Sequence, residues 1–254
     1  MTTEHSGSGD AARSMELLWG TGERPTRGPK PGLTLDRIVG AAVAVADAEG
    51  IGAVSMRRVA AELGVGTMSL YRYVPGKGEL LDLMLDRIAA FDPAGFPGPE
   101  AGWRTVLETV ARGQWQVHHR HPWLLQVDQT RPLLGPNSVN ALEYTLRGLS
   151  GVPLRDPEKI RLLTILEGYV AGAARTRLNS AMAEKRTGIT DEEWWKIQGP
   201  FLVRAMESGR YPHLAQLSED TFATDEDWDG DALFELGLAR LLDGFAADIE
   251  RRGG

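Results

Sequence analysis

The chain has 254 residues, of which 42% are apolar and 25% charged, with no cysteine and a formal net charge of -7. Such a chain can bury one large core or two small ones. Without thiols it has no disulfide, no thiolate chemistry and no cysteine-ligated zinc, which suits a reducing cytoplasm. No apolar run approaches the ~18 residues that span a bilayer, and the N-terminus lacks a basic segment followed by an apolar one, so neither membrane attachment nor secretion is expected.

The charge is unevenly divided. From Arg24 to Lys77, eight Lys/Arg face four Asp/Glu, giving +4, while the rest of the chain carries -11. A basic N-terminal piece on an acidic body points to a protein that meets nucleic acid at one end. Residues 1–33, rich in Gly, Pro, Ser and Thr, read as a flexible tail. Its Arg24, Arg27 and Lys30 either follow phosphates or a minor groove, or are merely solvated.

Leu33–Gly50 predicts a first helix, with Thr34 as N-cap, Gly50 as stop and an apolar face that includes Leu35, Ile38, Val39 and Ala42. Ser55 caps a short second helix, Met56–Leu63; Gly64-Val65-Gly66 is a turn; Gly66–Val74 is a third helix. Two short helices joined by a glycine-containing turn form a helix-turn-helix. Ala60 is small enough for a close crossing, and Gly64 accepts the positive φ that the turn needs. Thr67, Met68, Ser69, Tyr71, Arg72 and Tyr73 are left near the start and outer face of the third helix, where side chains reach a major groove. A fourth helix, Lys77–Phe91, has more apolar surface than a three-helix domain needs and reads as the connector to the body. Asp92-Pro93 and Gly95–Pro99 mark the linker.

Ala60, Gly64-Val65, the run Ser69-Leu70-Tyr71-Arg72-Tyr73-Val74, then Lys77 and Leu80-Leu81, resemble in order and spacing the DNA-binding domain of the tetracycline-repressor (TetR) family. The resemblance covers about residues 34–90. It implies that Arg57 reaches a base or phosphate, that Thr67, Met68 and Ser69 read base edges, and that Tyr71, Tyr73 and Lys77 hold the DNA backbone. Arg72 and Tyr73 depart from the tetracycline repressor's own pattern, so its operator sequence does not transfer.

The remainder reads as helical throughout: Gly102–His119, a short Pro122–Val127, Ser138–Leu149 capped by Asn137, a long helix from Asp156 to about Ala183, a helix opened by the capping box at Thr190–Glu193 and broken or kinked at Pro200, and Asp231–Arg251. The long helices 156–183 and 231–251 either pair two copies of the chain or are buried within one. A two-fold operator reader favours the dimer. More weakly, Thr130-Arg131-Pro132 and Phe234–Leu238 resemble the tetracycline repressor's C-terminal domain. Val127 stands where that repressor has its magnesium-ligating histidine, so a related pocket is expected, without magnesium-tetracycline.

Gln114, on an apolar stripe, Glu143 and Glu167 are each either satisfied internally or aimed at a ligand. With Trp115, His118 and Arg131 they form the candidate effector site. His118, His119 and His121 are dense, but Pro122 ends their helix and no acid follows at useful spacing. Asp225, Asp227 and Asp229 begin a calcium-loop pattern whose twelfth position is Leu236 rather than a bidentate Glu. No metal and no cofactor are therefore expected. Nor is there a nucleophile elbow, phosphate loop or metal-ligand helix.

The expectation is an all-α protein: a tail (1–33), a three-helix helix-turn-helix domain with its connector (34–91), and a helical ligand-binding and dimerisation domain (92–254). It would act as a cytoplasmic homodimer on a palindromic double-stranded DNA operator, as a repressor released by a small molecule. The alternatives are an all-helical enzyme with a remnant DNA domain, or a DNA binder without ligand control.

Overall fold

The computed structural model describes residues 4–20, 32–92, 95–218, 221 and 229–253. Regular structure there is ten α-helices, a few single 3-10 turns and one parallel pair of two-residue strands, β1 (Glu4–His5) beside β2 (Val127–Asp128). The all-α expectation holds.

The N-terminus departs from a flexible tail. Asp10 accepts the amides of Ala12 and Arg13 and so caps α1 (Ala11–Leu18), whose Leu17 and Leu18 pack on the core. Composition misled because the ordering comes from partners far along the chain. Arg24, Arg27, Lys30, Pro93, Asp225 and Asp227 lie outside the described residues.

Four helices build the part that the sequence leads one to expect at the DNA. α2 (Leu35–Glu49) starts at Thr34, whose hydroxyl accepts the Arg37 amide, and α3 (Met56–Glu62) starts at Ser55, which accepts the Arg58 amide. α3 ends in a Schellman turn: the Val65 amide donates to the Ala60 carbonyl, the Gly64 amide to Ala61, and Gly64 sits at φ +66°. α4 (Thr67–Tyr71) follows and is shorter than the expected Gly66–Val74; α5 (Lys77–Ile88) is the connector. Ile38, Ala42, Val59, Leu70, Leu80 and Met84 are sealed in one core.

α6 (Trp103–Arg120) is followed by a 3-10 turn, Pro122–Gln126, whose Trp123 and Leu124 belong to that same core, as does Val127. Packing therefore crosses the expected border at residues 91 and 92. Beyond α7 (Pro136–Gly148) run α8 (Asp156–Thr187), α9 (Asp191–Glu207) and α10 (Gly230–Gly253). The chain forms two compact units, Met1–Thr164 with Ile249–Gly254, and Ile165–Asp248.

Within the second unit, the Tyr169 hydroxyl donates to the Phe234 carbonyl at 2.7 Å. The Tyr169 ring lies where a Cβ on Gly237 would stand, so a glycine is needed there for α8 and α10 to approach. The capping box between Thr190 and Glu193 is complete. Pro200 does not end α9, which continues to Glu207. No helix among the described residues is long and apolar enough to cross a membrane.

Candidate nucleic-acid interface and effector groove

Six of the eight expected DNA-contacting residues lie on α3, on α4 or at the end of α4. Met68 is 77% exposed, and Arg57, Tyr71 and Arg72 are exposed beside it, with Thr67 and Ser69 half-buried at the start of α4. A methionine so exposed gains nothing from burial. Arg57 and Arg72 form no ion pair among the described residues. Arg58, by contrast, is held by Glu49 at 2.6 Å and Glu62 at 2.9 Å, which raises its pKa through those hydrogen bonds. It belongs to the scaffold.

Two members of the expected set have other work. Tyr73 packs on the core and its hydroxyl donates to the Leu33 carbonyl at 3.0 Å. Lys77 pairs with Glu4 at 2.8 Å. Both serve to hold the segment before α2 and the N-terminal strand, a use that no local spacing reveals.

Of the six expected effector residues, the five in the first compact unit do not line one common groove. Glu143 lines a groove of about 320 Å³ with Phe91, Asn137, Asn140, Tyr144 and Arg147. Arg131 lines a second, of about 280 Å³, with His5, Ser6, Asp128 and Thr130. Gln114 and His118 are half-buried on α6, and Trp115 is buried against the His119 ring, 4.4 Å between centroids. None of these three is among the described lining of either groove. Glu167 lies in the other compact unit, on α8. Its surroundings desolvate the carboxyl and raise its pKa, although the side chain keeps solvent access. The candidates fall on three helices and one loop, and sequence order alone does not say which of them face the same space.

The histidines are engaged elsewhere. His121 Nδ1 lies 2.7 Å from the Asp47 carboxylate, and the Trp123 indole donates to the same oxygen at 2.8 Å, tying α2 to the turn after α6. His119 Nδ1 lies 2.8 Å from the Trp115 carbonyl.

The larger groove adjoins a second tie. Asp86 of α5 is 5% exposed and serves as the cap of α7. It accepts the Asn137 and Ser138 amides at 3.3 and 2.9 Å, the Asn137 side-chain amide at 3.1 Å and the Ser138 hydroxyl at 3.0 Å. Asn137 is therefore not the cap of its helix, as expected, but a donor to a cap borrowed from α5. Gly135 is required by space, since a Cβ there would stand 2.4 Å from the Asp86 carboxyl carbon. Nearby, Phe91, Phe96 and Tyr144 meet edge-on, 4.8 to 5.4 Å between centroids, and burial pushes the Tyr144 hydroxyl pKa up. The groove thus sits on the residues that fasten the DNA-facing part to the body.

The chain matches two family profiles: "Bacterial regulatory proteins, tetR family" over residues 38–84, and "Tetracyclin repressor-like, C-terminal domain" over residues 96–249. It belongs to the TetR family. Among similar TetR-family proteins, the HTH-type transcriptional repressor DrrR1 of Streptomyces coeruleorubidus is 55% identical over the whole chain and 92% of that protein. The class E tetracycline repressor protein of Escherichia coli is 23% identical over 87% of this chain and 94% of its own. Apo ActR from Streptomyces coelicolor superposes with a TM-score of 0.66 at 28% identity, over 89% of this chain and 99% of that one. ActR in complex with actinorhodin gives 0.67 over 86% and 97%, also at 28% identity.

Proposed function

We propose that this TetR-family protein is a transcriptional repressor: a non-enzymatic homodimer that places two copies of α4 in the half-sites of a palindromic operator and releases it when a small molecule binds the body. The observation that carries the DNA reading is the exposed face of Met68, Tyr71 and Arg72 beside Arg57, presented by a helix-turn-helix closed at Gly64. Half-site centres ~34–36 Å apart would suit such a dimer. The dimer reading is supported by exposed Ile165 on α8 and exposed Leu233 and Leu236 on α10. Gly168 and Gly172 on α8 have open space where a Cβ would stand. The protein would act in the cytoplasm, where its operator is.

Ligand control rests on the 320 Å³ groove and on the similarity to ActR, solved in complex with actinorhodin. Aromatic rings at Phe91 and Tyr144, two carboxamides, and the charged Glu143 and Arg147 in its lining suit a planar molecule with hydrogen-bonding oxygens. A ligand acts only through its differential affinity for the DNA-competent and released states.

The test is selection of bound fragments from random DNA, then titration of the recovered site at fixed salt. Arg72→Ala should lose about tenfold or more in affinity, with folding unchanged. Binding of the selected site by Arg72→Ala as tightly as by the native chain would remove α4 from the mechanism.

A further inference from the structure

α5 carries three carboxylates on one face, at Glu79, Asp82 and Asp86, 7%, 2% and 5% exposed. Three buried acids so close repel one another unless each is satisfied. Asp86 is satisfied by α7. The other two, among the described residues, are satisfied by the N-terminal segment. Glu79 accepts the Asp10 amide at 2.7 Å. Asp82 accepts the Gly7 amide at 2.8 Å, the Ser6 hydroxyl at 3.3 Å and the fully buried Ser14 hydroxyl at 2.7 Å. Lys77, at the start of the same helix, pairs with Glu4.

The segment fits α5 without spare room. A Cβ on Gly78 would stand 2.5 Å from the Gly9 nitrogen, and a Cβ on Gly9 would stand 2.4 Å from a Glu79 oxygen. Its other side is fastened to the body. β1 pairs with β2 in the register Glu4 to Val127 and His5 to Asp128. The Ser6 amide donates to the Asp128 carbonyl at 3.0 Å, and the Trp19 indole donates to the Leu134 carbonyl at 3.2 Å. Residues 4–19 therefore span from the connector helix to the loop between α6 and α7. The TetR-family profile for the DNA-binding domain begins only at residue 38.

We propose that this segment is a positioning element of DNA recognition. It acts as a strap on the acid face of α5 that fixes how the connector leaves the body, and so which half-site separation the dimer accepts. The inference rests on the dimeric operator reading above. A helix of twelve residues is ~18 Å long, so a small rotation at its body end displaces the recognition helix at the other. A rigid connector favours one separation; a loose one accepts several with less affinity for the best, because it must be ordered on binding.

The experiment uses the full chain and its selected DNA site, with half-sites moved together or apart by one or two base pairs. Gly78→Ala removes the seat for Gly9 while favouring the α5 helix, and Asp82→Ala removes the acceptor for three donors. In both, the Gly7 and Asp10 amides should exchange with solvent about tenfold faster or more. The native chain should prefer one spacing over its neighbours by about tenfold, and both variants should flatten that preference to about threefold or less. Because merely reduced stability lowers affinity equally at all spacings, an unchanged profile with released amides overturns the strap. Amides that stay protected in both variants overturn the assignment of the acid row as its anchor. A native chain that shows no spacing preference fails the dimeric operator reading itself, and the strap inference with it.

Discussion

The carboxylate of Asp86 on α5 accepts the backbone amide of Ser138, 52 residues later, at 2.9 Å, and its hydroxyl at 3.0 Å. A helix N-terminus usually draws its cap from the residue just before its own first turn. Here the cap comes from the connector helix, so the first turn of α7 cannot shift without pulling on α5. Since Asn137 is both a donor to Asp86 and a wall of the 320 Å³ groove, occupancy of that groove and the seat of α5 share a residue.

Asp86→Ala leaves the α7 amides without an acceptor in a nearly dry site. A loss of about 2 kcal/mol in unfolding free energy is expected, at the upper end for a cap because a buried charge-assisted network goes with it. Urea titration followed by circular dichroism measures it. Gly135→Ala should act in the same direction by displacing the carboxylate, though it deletes no polar atom. A destabilisation below about 0.5 kcal/mol for both would show that α7 does not depend on this cap.

Tyr73 and Arg72 are adjacent, yet Tyr73 packs on the core while Arg72 is exposed, and the proposed function gives them opposite duties. Tyr73→Phe removes only the bond to the Leu33 carbonyl and should lower stability by about 1 kcal/mol while leaving affinity for selected DNA within about threefold. Arg72→Ala should leave stability nearly unchanged and lower DNA affinity by about 1–3 kcal/mol, with a shallower salt dependence if its partner is a phosphate. Parallel denaturation and fluorescence-anisotropy titrations separate the two. A larger DNA defect in Tyr73→Phe than in Arg72→Ala would reverse these assignments.

What could be read in sequence was what local rules govern. The caps Thr34, Ser55 and Thr190, the turn at Gly64 and the exposed face of α4 all follow from spacing, capping chemistry and helical period. What escaped was every long-range polar tie. Glu79, Asp82 and Asp86 fall at the spacing of one helix face, which suggests a solvated stripe; only the donors at Gly7, Asp10, Ser14 and Ser138 make that face an interior. The order of the N-terminal segment was hidden for the same reason. The effector candidates mark the limit of those rules: a polar residue on an apolar stripe signals a partner, but not which partner.

Pro200 offers a test within α9. It lies ten positions into a helix that runs from Asp191 to Glu207, and its ring nitrogen donates no hydrogen bond to the preceding turn. Pro200→Ala restores that donor and removes the ring clash. A gain of about 1–3 kcal/mol is expected, seen as a higher thermal midpoint and more helical signal. If proline instead serves by restricting the unfolded chain, the substitution will be neutral or destabilising.

Glu158 sets the acid response at the start of α8. Hydrogen bonds from the Arg155 guanidinium and the Arg155 amide, both at 2.9 Å, and then from Arg252 of α10 at 2.6 Å, hold its carboxyl pKa down from 4.5 to about 2. The folded state thus binds the proton less readily than the unfolded chain. The stabilisation is fully present above the unfolded value of 4.5 and is lost as pH falls toward about 2. Glu158→Gln abolishes this dependence while keeping the side chain's size. The stability gap between the native chain and Glu158→Gln should therefore be constant from neutral pH to about pH 5 and should shrink steadily below it. Urea midpoints measured at closely spaced pH values give that gap directly. A gap that stays level down to pH 3 would show that Arg155 and Arg252 do not hold the carboxylate in its charged form.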